Sequence, residues 1–90
     1  MPSYNDKKKM YADARIVTGC NQKDWARLFN LGGSKGQPHV SNKESGARGV
    51  NMPEALSSEL LAFLFKQGFD VKNTHFDVDG LIIEIPRIVD

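Results

Sequence analysis

Within the span 37–43 the chain places Gln37, His39, Ser41, Asn42 and Lys43 around a single strongly apolar residue, Val40. These types share one use. Gln and Asn amides pair bidentately with adenine, Lys donates to guanine, Ser assists, and each good pair discriminates by about 1–3 kcal/mol. Gln22, Lys23, Lys35 and Arg48 lie on either side. They are suited to phosphate contacts, which orient a protein on a duplex without reading its sequence. The competing reading of the same residues is a solvated face of an exposed helix.

Other chemistries find less support. Gly32-Gly33-Ser34-Lys35-Gly36 is rich in glycine. A phosphate-binding P-loop, however, needs Gly-Lys before Ser or Thr and a preceding strand. The single cysteine, Cys20, excludes an internal disulfide and a cysteine-based zinc cluster. His39 and His75 fall on different elements, and no pair of groups suited to acid–base or nucleophilic work shares one. Neither enzyme activity, nor a metal, nor a cofactor is expected.

Charge is divided along the chain. Residues 1–52 hold nine Lys or Arg against four acids, a net +5, whereas residues 53–90 hold three against seven, a net −4. The basic half suits a polyanion and the acidic half would be repelled by one. No apolar run approaches the roughly 20 residues that span a bilayer, and the start of the chain lacks the apolar segment of a secretory signal. A cytoplasmic protein without a membrane partner is expected.

The elements that must position these residues follow from caps and periodicity. Ser3 with Asp6 is a capping signal, and Met10, Ala14 and Val17 recur at helical spacing, predicting a first helix over 5–17 that stops at Gly19. Asn21 with Asp24 repeats the signal for a second helix, whose apolar face is Trp25, Leu28, Phe29 and Leu31 and whose stop is Gly32. Residues 33–36 form the turn, because glycine costs about 1 kcal/mol in a helix. Pro38 is placed first in a third helix anchored by Val40.

Pro53 opens a fourth helix closed by Gly68. Its Leu56, Leu60, Leu61, Phe63, Leu64 and Phe65 cover more than one face. They read as core, like Trp25, clasped by the first two helices and by something on the far side. The tail alternates with a period of two around Asp79-Gly80, which predicts a hairpin with a two-residue turn. Val78 would face Leu81, Phe76 face Ile83, and Thr74 face Ile85. His75 opposite Glu84 and Asp77 opposite Ile82 would occupy the other face, and Pro86 would end the pairing.

Gln22, Ala26, Leu31-Gly32, Val40-Ser41, Glu44 and Gly46 together resemble the lambda-repressor-like, Cro/C1-type (XRE) helix-turn-helix family over roughly residues 10–67. The resemblance implies a mainly α bundle of about four helices, here with a C-terminal β-hairpin. It also implies that Gln22 touches a phosphate, that Ala26 lets two helices approach closely, and that Glu44 caps or braces the recognition helix. Two features depart from the pattern: seven residues separate Leu31-Gly32 from Val40-Ser41 where the family leaves about five, and Lys43 stands at a normally apolar place.

The expectation is a helix-turn-helix domain over 1–70 and a hairpin extension over 71–90 within one compact unit. It would bind double-stranded DNA as a homodimer and repress transcription from an inverted-repeat operator, in the manner of phage or mobile-element regulators. Phe76, Ile82, Ile83 and Ile85 are assigned to the dimer seam. The alternative is a module that binds another protein through the hairpin, as an antitoxin or host-factor inhibitor would.

Overall fold

The computed structural model describes residues 2–31 and 35–89. The chain is mainly helical, with four α-helices followed by a small antiparallel hairpin. The helices are α1 (Tyr4–Val17), α2 (Gln22–Leu28), α3 (Gly36–Ser45) and α4 (Met52–Lys66), and the strands are β1 (His75–Phe76) and β2 (Ile82–Glu84).

Three of the helices carry their own start signals. Ser3, Asn21 and Asn51 each accept a backbone N–H three residues on, while Asp6, Asp24 and Glu54 accept the N–H of the capping residue in return. Each such cap contributes about 1 kcal/mol. The bonds from the backbone and hydroxyl of Ser3 hold the Asp6 carboxyl below the usual carboxylate range. Helix α3 has no side-chain cap.

The core sits where α1, α2 and α4 meet the inner side of α3. Tyr11, Trp25, Val40 and Ala55 are fully buried. Tyr11 meets Trp25 edge-on with ring centroids 6.1 Å apart, and Phe29 tilts against both rings at 5.5 and 5.3 Å. Such aromatic pairs add about 0.5–1.5 kcal/mol each beyond the area they bury. The Tyr11 hydroxyl and the Trp25 indole N–H have no hydrogen-bond partner among the described residues. Burial pushes the Tyr11 phenol far above its usual pKa.

Two helix limits differ from the sequence reading. Helix α2 stops at Leu28, short of Leu31. Asn30 takes the left-handed conformation at φ 59°, and the Leu31 N–H turns back to the Ala26 carbonyl at 2.7 Å. Asn tolerates that region better than most residues, so the chain leaves the helix early. The stop assigned to Gly32, like Gly33 of the turn, lies outside the described residues. Helix α3 begins at Gly36, making Pro38 its third residue. Among the described residues, the first amide of α3 to bond back is that of His39, to Lys35. The missing amide of Pro38 is therefore no loss.

The outer face of α4 is also not as expected. Leu56, Leu60 and Phe63 are 52%, 55% and 59% exposed, while Ala55 and Ser58 are buried on the inner side. Leu56, Leu60 and Phe63 point out, whereas Leu61 and Ala62 pack against the core beside Ala55 and Ser58. The sequence reading of Leu56, Leu60 and Phe63 as core is therefore corrected. Ala55 and Ser58, being small, let α1 lie close to the inner side of α4.

In the hairpin, His75 pairs with Glu84 as expected, but Phe76 pairs with Ile82 rather than Ile83. Ile83 is the extra residue of a bulge. The Asp77 side chain accepts the N–H groups of Asp79 and Leu81, and the Asp77 N–H bonds to the Leu81 carbonyl. The loop therefore contains three residues, Val78 to Gly80, with Gly80 at φ 84°, and Asp77 lies opposite Leu81. The three-residue loop shifts the pairing of Asp77 and Phe76 by one residue from that of a two-residue turn, and the bulge at Ile83 takes up the shift, so that His75 again meets Glu84. Pairing with β1 ends at Glu84, before Pro86 as expected, and from Pro86 on the chain pairs instead with residues 68–70. The Pro86 carbonyl accepts from Asp70, Ile88 donates to Gly68, and Arg87 bridges Phe69 with its guanidinium 4.3 Å from the ring centroid. Pro lacks only the donor, and here its carbonyl is the group used.

Candidate nucleic-acid interface

At its start α3 lies tightly against α2 and the turn that follows it. A Cβ added to Gly36 would stand 2.0 Å from the Leu31 carbonyl oxygen and 3.1 Å from the Ala26 Cβ. Ala26 itself is 3% exposed. Only Gly at 36 and a small residue at 26 allow this packing. Together they fix α3 against α2 and leave an open groove of about 1080 Å³ lined by Gln22, Lys23, Arg27, Gln37 and Ser41, among others.

Along α3, Val40 is buried while Gln37, Pro38, Ser41, Asn42 and Ser45 are exposed on one face. That face offers amides and hydroxyls with no apolar group beyond the proline ring. Lys23 and Lys35 stand exposed toward its N-terminal end, and Arg48 just past its C-terminal end. His39 is half-buried, and its pKa lies below the ordinary value, first through burial and then through the Arg48 and Lys43 charges.

Lys43 departs from the sequence reading. Instead of facing a base it is 5% exposed, and its ammonium lies 2.6 Å from a Glu54 carboxylate oxygen and 3.3 Å from the Gly49 carbonyl. A normally apolar place is filled here by a cation that carries its own counter-charge. The aliphatic stem packs as a hydrophobe would, and Glu54 neutralises the tip. Of the residues assigned to base contacts, Gln37, Ser41 and Asn42 are exposed on α3 and His39 is half-buried beside them.

Glu44 joins three helices. It accepts from the Arg15 guanidinium of α1 through two nitrogens and from the Gln22 amide of α2 at 3.0 Å. The Gln22 amide oxygen in turn receives Gln37 at 3.5 Å. Gln22 is thus half-buried, with its nitrogen committed within the protein. Arg15 is a residue the sequence reading missed. Its only signal was a basic residue in the last turn of α1, which also suits the helix dipole.

A second omission is the start of α1. The Tyr4 hydroxyl donates to the Gly46 carbonyl, and the Lys8 side chain stands 3.5 Å from where a Gly46 Cβ would be. This brings a further cation to the C-terminal end of α3. Arg27, also unassigned from sequence, donates to the Thr74 and Lys72 carbonyls and lies 5.6 Å from the Phe76 ring centroid. It fastens the C-terminal segment to α2. Of the residues assigned to a dimer seam, Ile82 and Ile83 are exposed, whereas Phe76 and Ile85 are half-buried.

No family model matches the chain, and neither the curated proteins nor the solved structures provide a match.

Among the described residues no cluster of His, Cys, Asp or Glu could hold a metal ion, and no helix is long and apolar enough to cross a membrane. Cys20 is buried, and burial raises its thiol pKa.

Proposed function

We propose that the chain is a sequence-specific DNA-binding regulator of lambda-repressor-like type. In this reading α2 and α3 form its helix-turn-helix, and it represses by occupying an inverted-repeat operator as a dimer. The observation that carries the reading is the exposed polar face of α3, with Gln37, Ser41 and Asn42 raised on a helix locked to α2 at Gly36 and Ala26. Lys23, Lys35 and Arg48 around that face supply phosphate contacts, and Lys8 adds one at its far end. Two copies related by a two-fold axis would present α3 to successive major grooves about 34 Å apart. Polymerase is then excluded wherever the operator overlaps a promoter.

A reading in another class is favoured by one feature. Val78, Leu81, Ile82 and Ile83 are all more than half exposed at the acidic hairpin, which suits a protein partner. Selection of bound sequences from a random duplex library at moderate salt separates the two. An enriched inverted repeat supports the regulator and gives its half-site spacing. A folded protein that enriches nothing leaves the partner-binding module.

A further inference from the structure

We infer that the outer face of α4 is a seam for a second copy of this chain, packed antiparallel across a two-fold axis. Leu56, Leu60 and Phe63 recur at i, i+4 and i+7, each more than half exposed, on the far side of the helix from buried Ala55 and Ser58. A helix that is apolar on both sides requires cover on both. Helix α1 covers one side, and nothing within the described chain covers the other.

The pattern of the stripe and its flank selects the occupant. Glu59 and Lys66 are seven residues apart, two turns along the same flank, and both line the groove between α1 and α4. Neither makes an ion pair among the described residues. With Leu60 set opposite the partner's Phe63 in antiparallel packing, Glu59 and the partner's Lys66 fall within about 3 Å of each other along the helix axis, at a rise of about 1.5 Å per residue. The two-fold axis brings the same flank of both helices together, so this pair forms twice. The apolar stripe and the charges thus share one register.

Val17, 46% exposed, lines the same groove as Lys66 and extends the apolar surface beyond the helix. A stable interface uses about 800 Å² per partner, more than three side chains supply, so the C-terminal end of α1 belongs to the seam. This surface is separate from the hairpin and from the polar face of α3. A copy bound here leaves α3 open.

Sedimentation equilibrium from micromolar to millimolar protein tests the inference. The wild-type chain should dimerise. Leu60→Glu should raise the dissociation constant by about a hundredfold or more, with an unchanged circular dichroism spectrum, because the side chain replaced is exposed in the monomer. Glu59→Lys and Lys66→Glu should each weaken the dimer, and the two together should restore it. Ile83→Lys in the hairpin should leave the dimer intact. A wild type monomeric throughout the range, a Leu60→Glu variant as dimeric as wild type, or dissociation by Ile83→Lys alone overturns the seam.

Discussion

Helices α3 and α4 solve the same problem in opposite ways. Helix α4 begins with a full capping box and Pro53 in its first turn, and it packs on the core through Ala55, Ser58, Leu61 and Ala62. Local signals suffice to start it. Helix α3 has no side-chain cap, one buried aliphatic side chain and a polar surface. It is held from outside, by Gly36 against α2, by Arg15 on Glu44 and by Glu54 on Lys43. With Val40 as the one buried aliphatic side chain, α3 lacks the apolar stripe that ordinarily holds a surface helix. Its anchoring is transferred to its two ends and to ion pairs from its neighbours.

The comparison breaks most sharply at Gly36. Gly36→Ala drives a methyl into the Leu31 carbonyl and should cost about 3 kcal/mol or more, read as a lower urea midpoint; an unchanged midpoint would mean that α3 is not pinned there. Gln37→Ala with Asn42→Ala should leave that midpoint within about 0.5 kcal/mol while lowering preference for selected over random DNA at least about tenfold. If preference survives, recognition lies elsewhere.

Lys43→Met removes the ammonium and keeps the stem. The expected loss is about 2 kcal/mol, less than for a fully enclosed pair because Glu54 retains 20% exposure. Were Lys43 a base reader, specificity would fall and stability would not. Asn51→Ala should cost about 1 kcal/mol through the α4 cap, measured in the same way. No single capping substitution in α3 has a counterpart.

The smallest effect is set by pH. Because the folded state holds the His39 pKa below 6.5, the unfolded chain takes up the proton first as pH falls. The contribution to stability is therefore fully present above 6.5 and is lost as pH drops through that value toward the folded pKa. His39→Gln should flatten this part of the pH–stability curve. Phosphates placed against His39 would favour the imidazolium, so DNA binding should take up a proton and strengthen as pH falls, as calorimetry in buffers of different ionisation enthalpy would show.

Sequence displayed what is local. The capping boxes at Ser3 and Asn21, the aromatic core at Trp25, the His75–Glu84 pairing and the outward polar face of α3 were read because each rests on neighbours in the chain or on periodicity, whereas the Asn51–Glu54 box, equally local, was passed over in favour of Pro53. The hold on α3 was readable only in part: Ala26 and Glu44 were expected to pack and brace it, but their partners Gly36 and Arg15 were not. Lys43 and Glu54, or Arg15 and Glu44, are ordinary exposed residues until the fold brings them together, and one of them then changes from a candidate reader to a buried anchor. The hairpin register was missed by one residue because Asp77 accepts two loop amides and draws the turn out to three residues. Apolar residues on α4 read as core because composition does not say which side of a helix a neighbour will cover.

Glu54 closes the cap of α4 through the Asn51 N–H and receives Lys43 with the same carboxylate. The bond to Lys43 therefore presupposes a formed first turn of α4, and this gives the two helices an order in time. The opening of α3 need not disturb α4, whereas fraying of the α4 start releases α3. Amide protons of α3 should exchange with solvent through a cheaper, smaller opening than those in the middle of α4. By this coupling the polar helix should be the last to settle and the first to loosen.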